Sequence, residues 1–174
     1  MMNIQKELQQ LSAGEADMRF NNVDVAPETI RAIMINEVVP SSSEEDFYGK
    51  PDSAYMSTTI PLFRKAGIEA GSVQDILNSG IYITNAVKTP KSEYAVSRES
   101  IEDSLPYLEK ELALFPNVKV IMLMGDVAKN HLSHIARKLS VSVDEVMDAC
   151  DLIRTLNPKP GNSFSSREQL RYIS

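Results

Sequence analysis

The stretch Ala32 to Gly49, AIMINEVVPSSSEEDFYG, constrains the fold more than any other part of the chain. Ala32-Ile33-Met34-Ile35 is a short apolar run rich in branched side chains, the composition of a strand buried on both faces. It switches abruptly to polar and turn-forming residues, so the stretch reads as a strand delivering a loop. Asn36 and Glu37 stand where the apolar run stops, and ligands of open α/β sheets bind at the carboxyl ends of strands. The loop then carries a serine triplet, the acids Glu44, Glu45 and Asp46, and the ring pair Phe47-Tyr48 closed by Gly49, which together could set a ring over a planar ligand.

Along the rest of the chain the same grammar repeats. Ile4, Leu8 and Leu11 predict a short amphipathic helix over Asn3 to Leu11, and Gly14 to Pro27 reads as connection. Ser57 to Phe63 predicts a helix with Pro61 in its first turn and a stop at Gly67. A second helix has Ser72 as N-cap, Asp75 in its third position and Gly80 as terminator. Ile81-Tyr82-Ile83 predicts a strand delivering Thr84 to Pro90. Ile101, Leu105, Leu108, Leu112 and Phe115 predict a helix from Ser97, interrupted at Pro106. Val118 to Met124 is the clearest strand, followed by Gly125-Asp126 and a helix from about Val127 to Leu139. Strands separated by helical crossovers call for an α/β fold with a short parallel sheet and right-handed connections, a three-layer sandwich. Ser142 and Glu145 form a capping box for a further helix through about Leu156, ended by Asn157-Pro158-Lys159-Pro160-Gly161. The boundaries predict a domain over residues 1–139 and a helical appendage with a polar tail over 140–174.

Composition bounds the function classes. The 174 residues suffice for one domain with a real core, and 43% hydrophobic with 24% charged residues is ordinary globular usage. No apolar run approaches the roughly 20 residues that span a bilayer, and the N-terminus lacks a signal-peptide core, so a cytoplasmic protein without membrane contact is expected. The single cysteine, Cys150, excludes an internal disulfide and a cysteine-held zinc or iron-sulfur cluster. A net charge of −6 gives no general affinity for phosphate backbones, which leaves local patches: Lys88 with Lys91, and Lys129, His131, His134, Arg137 and Lys138. His131 and His134 share a helical spacing but have no nearby carboxylate, which makes a poor metal site; no metal and no cofactor are expected.

Three motifs, INEVVPSSSEEDFYG (Ile35 to Gly49), ITNAVKTPK (Ile83 to Lys91) and LPYLEKELALFPNVKVIMLMGDVAK (Leu105 to Lys129), resemble uracil-DNA glycosylase family proteins in order, over residues up to about Ala136. The resemblance is to a branch without an iron-sulfur cluster. It implies a glycosylase-like fold and an enzyme, a hydrolase of the N-glycosidic bond of uracil in DNA, acting in base excision repair on a flipped base. Carried over, Glu37 matches the acidic water-positioning residue, with Asn36 beside it. Phe47, with Tyr48 adjoining, matches the ring that stacks on the base, and Asn85 matches the amide that reads it. Lys88 and Lys91 would contact the DNA backbone. Taken without the resemblance, Glu37 is an exposed or paired acid, Phe47 a core ring and Asn85 a turn cap.

That family continues to another strand and a second active-site motif, which do not appear. From about Ile135, IARKLSVSVDEVMDACDLIRTLNPKPGNSFSSREQLRYIS resembles instead the core-polymerase-binding region of the enhancer-dependent, nitrogen-regulation class of bacterial sigma factor, LNPKPG followed by FSS being the telling part. This second resemblance implies RNA polymerase core as a partner. The chain so read is chimeric. It is either a glycosylase of uracil-containing DNA, a binding module that contacts RNA polymerase or DNA through its C-terminal helices, or a catalytically silent fusion.

Overall fold

A computed structural model of the chain describes residues 1–11, 17–90 and 96–128, together with the backbone of Val146–Asp148. Strand β1 (Met2–Asn3) leads into α1 (Ile4–Gln9) and pairs antiparallel with β2 (Asp24–Val25). The Asn3 side chain serves as the N-cap of α1 by accepting from the Lys6 N–H. Then come β3 (Ala32–Val38), α2 (Ala54–Lys65), α3 (Val73–Asn78), β4 (Ile81–Val87), α4 (Arg98–Ala113), β5 (Val120–Leu123) and β6 (Val146–Asp148).

The principal sheet runs β4-β3-β5-β6, and every neighbouring pair in it is parallel. Alternation along the strands divides the core. Ile33, Ile35, Tyr82, Ala86, Ile121 and Leu123 join Ile4, Leu8, Leu108 and Leu112 of α1 and α4 in one cluster. Met34, Ile83 and Met122 join Met56 and Phe63 of α2 and Ile76 of α3 in the other. Period-two burial on both faces of one sheet is what near-continuous apolar strands require, and it gives helix layers on either side.

Helix boundaries follow local hydrogen bonding. Helix α2 opens a turn earlier than the sequence predicts, because the buried Ser53 accepts from the Met56 N–H and Glu45 accepts from the Ala54 N–H at 2.8 Å. Helix α3 has the predicted form: Ser72 and Asp75 make a reciprocal capping box, and Gly80 ends it at φ +86°. Helix α4 runs through Pro106 without a break. Pro106 is exposed, so the carbonyl it frees meets water while Tyr107, Leu108 and Leu112 hold the opposite face in the core.

At the outer edge of the sheet, β4 is closed by side chains. Both backbone groups of Ile83 turn away from β3; its N–H donates to the Tyr48 hydroxyl at 3.0 Å and its carbonyl accepts from Asn21 Nδ2 at 3.0 Å. At Ile83 the edge therefore offers no open groups to another strand.

The chain departs from expectation after β5. The helix predicted over Ser142 to about Leu156 is interrupted at Val146–Asp148, which forms β6 and pairs with Ile121–Leu123. A fourth strand therefore joins the sheet from the segment expected to be a helical appendage. The remainder of that segment lies outside the described residues, as do Lys91, Lys129, His131, His134, Arg137, Lys138 and Cys150.

Candidate functional site

The strand order creates one switch point. From β3 the chain crosses through α2 and α3 to β4 on one side, then through α4 to β5 on the other, so the connections diverge between β3 and β5. Crevices open at the carboxyl ends of strands where connections diverge in this way. A cleft of about 440 Å³ lies there, lined by Asn36, Glu37 and Val38 of β3, Phe47, Tyr55, Thr58, Thr59 and Leu62, and Met124 beyond β5.

Glu37 is exposed, and its carboxylate spans the switch point to accept from the Val127 N–H at 3.2 Å. This caps the first turn of helix that follows Gly125, and an acid at a helix start is favoured by the partial positive charge there. The same carboxylate packs under Gly125, whose φ is +106°. Glu37 therefore joins the ends of β3 and β5.

Phe47 is 4% exposed and belongs to the core cluster beneath the cleft, its ring 4.9 Å from that of Tyr55. The Tyr55 hydroxyl donates to the Val38 carbonyl at 2.9 Å, and burial, aided by the charges of Asp46 and Glu37, raises its pKa. Tyr48 is committed to the β4 edge and to a stacked contact with Tyr82 at 5.9 Å; burial drives its hydroxyl far above the ordinary tyrosine range. Asn36 and Asn85 are register partners on adjacent strands. Among the described residues, Asn36 Nδ2 and Asn85 Oδ1 are buried side-chain atoms without a hydrogen-bond partner. Asn85 Nδ2 donates to Asp46 Oδ1 at 3.1 Å.

Lys88 corrects its sequence reading. Expected to meet the DNA backbone, it is 1% exposed, and its ammonium lies 2.5 Å from the Glu111 carboxylate and 2.7 Å from Thr84 Oγ1. Glu111 also accepts from the Tyr82 hydroxyl at 2.6 Å, and that hydroxyl accepts from Asn21 Nδ2 at 2.6 Å. A cation so enclosed presents no charge to a polyanion. The legible signal was Glu111 itself, which falls on the buried stripe Ser104, Tyr107, Leu108, Glu111, Leu112 of α4, where a carboxylate needs a partner.

Asp46 was read only as one of three loop acids, yet it is the titratable centre of the loop. Desolvation raises its pKa above the ordinary carboxylate value, opposed by donation from the Phe47 N–H and Asn85 Nδ2 and by the charge of Lys88. A raised folded-state pKa means that the folded state holds the proton more tightly. The contribution of Asp46 is thus fully present below its unfolded value near pH 4 and is lost as pH rises through the folded value. Asp46→Asn removes this titration, and its amide can donate to the unpartnered Asn85 Oδ1. Urea midpoints of the parent should therefore fall relative to those of Asp46→Asn as pH rises above about 4; parallel pH profiles would rule the coupling out.

Comparison with known proteins points away from the glycosylase resemblance. Residues 52–174 match the profile of the sigma-54 factor, core binding domain. A 48-residue stretch is 42% identical to a Clostridium kluyveri protein named as an RNA polymerase sigma-54 factor, covering 28% of this chain and 11% of that protein. These findings overturn the expectation of uracil hydrolysis and DNA repair: the match begins within the loop before α2 and includes β4, α4 and β5, which the glycosylase resemblance had claimed. Fold likeness at a strand-end cleft does not carry a reaction with it.

Proposed function

The chain belongs to the sigma-54 factor core-binding-domain family, and from that premise we propose that it is a non-catalytic binding module that contacts RNA polymerase core through its C-terminal part. The observation that carries this reading is the family match over residues 52–174, which includes the LNPKPG motif at Leu156 to Gly161 and the Phe164-Ser165-Ser166 that follows it. The chain spans only 11% of the length of its sigma-54 relative. A chain of net charge −6 is also poorly suited to grip nucleic acid without a partner. The same reading puts the protein in the cytoplasm with the transcription machinery; no helix among the described residues is long and apolar enough to cross a membrane.

The test is direct binding of the purified chain to RNA polymerase core, measured by biolayer interferometry. Deletion of Asn157 to Ser174 removes the motif and leaves every described residue in place. The deletion is expected to weaken binding at least about a hundredfold, about 2.7 kcal/mol or more, while Glu37→Ala leaves it within about twofold. Binding that survives the deletion, or no binding by the parent chain, would refute the proposal.

A further inference from the structure

Strand β6 is held in a conformation its own sequence does not favour. Ser142 and Glu145 have capping-box spacing, and Val146, Cys150 and Ile153 recur at i, i+4 and i+7, the pattern of an amphipathic helix. Aspartate is depleted in strands, yet Asp148 occupies the register position opposite the core residue Leu123. The strand is only three residues long, against seven for each of β3 and β4.

What holds it is the edge of β5. The Val120 and Met124 N–H groups donate to the Arg31 and Ile35 carbonyls on the β3 side, so the alternate amides, Ile121 and Leu123, face the other way, toward β6. An open row of donors and acceptors recruits any extended segment within reach. Local preference for helix and tertiary demand for strand thus conflict in one short segment, and such a conflict narrows the free-energy gap between the two arrangements.

We propose that the β6 segment is a two-state element: a strand on β5 in the free chain, and a turn of helix when RNA polymerase core is bound, so that pairing with β5 competes with the partner. This rests on the polymerase reading above and adds its regulation. The competition has a measurable size, because a partner that binds a state populated at one part in ten binds about tenfold more weakly than its intrinsic affinity.

Two measurements on the full chain test it. Hydrogen exchange at Ile121 and Leu123 should be slow in the free chain and at least about tenfold faster when RNA polymerase core is saturating, with Ile33 to Ile35 unchanged. The double variant Val146→Ala/Met147→Ala, which weakens the strand and favours helix, should bind core about three- to tenfold more tightly than the parent. Binding of core with Ile121 and Leu123 still protected, or a double variant that binds no more tightly, overturns the competition and leaves the polymerase reading intact. Absence of binding by the parent chain removes the polymerase reading and the competition with it.

Discussion

Lys88→Met is expected to cost about 3–5 kcal/mol of folding stability, the usual penalty for removing one partner of a buried ion pair. The two side chains are 2% and 0% exposed, and the removed ammonium leaves the Glu111 carboxylate, among the described residues, with the Tyr82 and Thr84 hydroxyls as its donors. Glu111→Leu should cost as much for the converse reason, since it strands the ammonium and frees the Tyr82 hydroxyl of its acceptor. The double variant removes both charges. It should lose less than the sum of the singles, with a coupling of about 1–3 kcal/mol, because neither desolvation penalty is then left uncompensated. Urea unfolding of the four proteins gives the cycle. Additive losses would mean that Lys88 and Glu111 do not interact.

Gly125→Ala is expected to cost about 2–4 kcal/mol. Part is backbone strain, since an L side chain rarely adopts φ +106°, worth about 1–3 kcal/mol. The rest is collision: an added Cβ would stand 2.6 Å from Glu37 Cδ and would push the carboxylate off the Val127 N–H. In a Glu37→Ala background the collision is gone and only the strain of about 1–3 kcal/mol remains, so the same substitution should cost about 1 kcal/mol less there. Equal costs in the two backgrounds would show that Glu37 does not fill the space beneath Gly125.

These two results together bear on why a strand-end carboxylate misleads. INEVVP placed Glu37 at the end of β3, where the structure has it, and its position at the switch point follows from the strand order. Its partners are the Val127 N–H and the space under Gly125, ninety residues away in sequence, and no local pattern announces them. Phe47 and Lys88 carry the same lesson. Whether a ring faces a ligand or a core, and whether a lysine faces solvent or a buried carboxylate, depends on what another element brings to it.

Legible in the residues alone were the alternation of strands and helices, the parallel sheet, the capping box of α3, and the sigma-54-like motif at LNPKPG. All of these are set by short-range terms: side-chain periodicity, caps and turn residues act within a few positions of themselves. Packing across the fold sets the strand order β4-β3-β5-β6, the occupation of the Ile83 backbone groups by Tyr48 and Asn21, the burial of Lys88 against Glu111, and β6 as a strand where local preference is for helix. Those outcomes turn on hydrogen-bonding edges and desolvated charges that must find partners across the fold. The free energy of leaving such groups unpaired exceeds the few tenths of a kcal/mol per residue by which sequence prefers one local conformation over another.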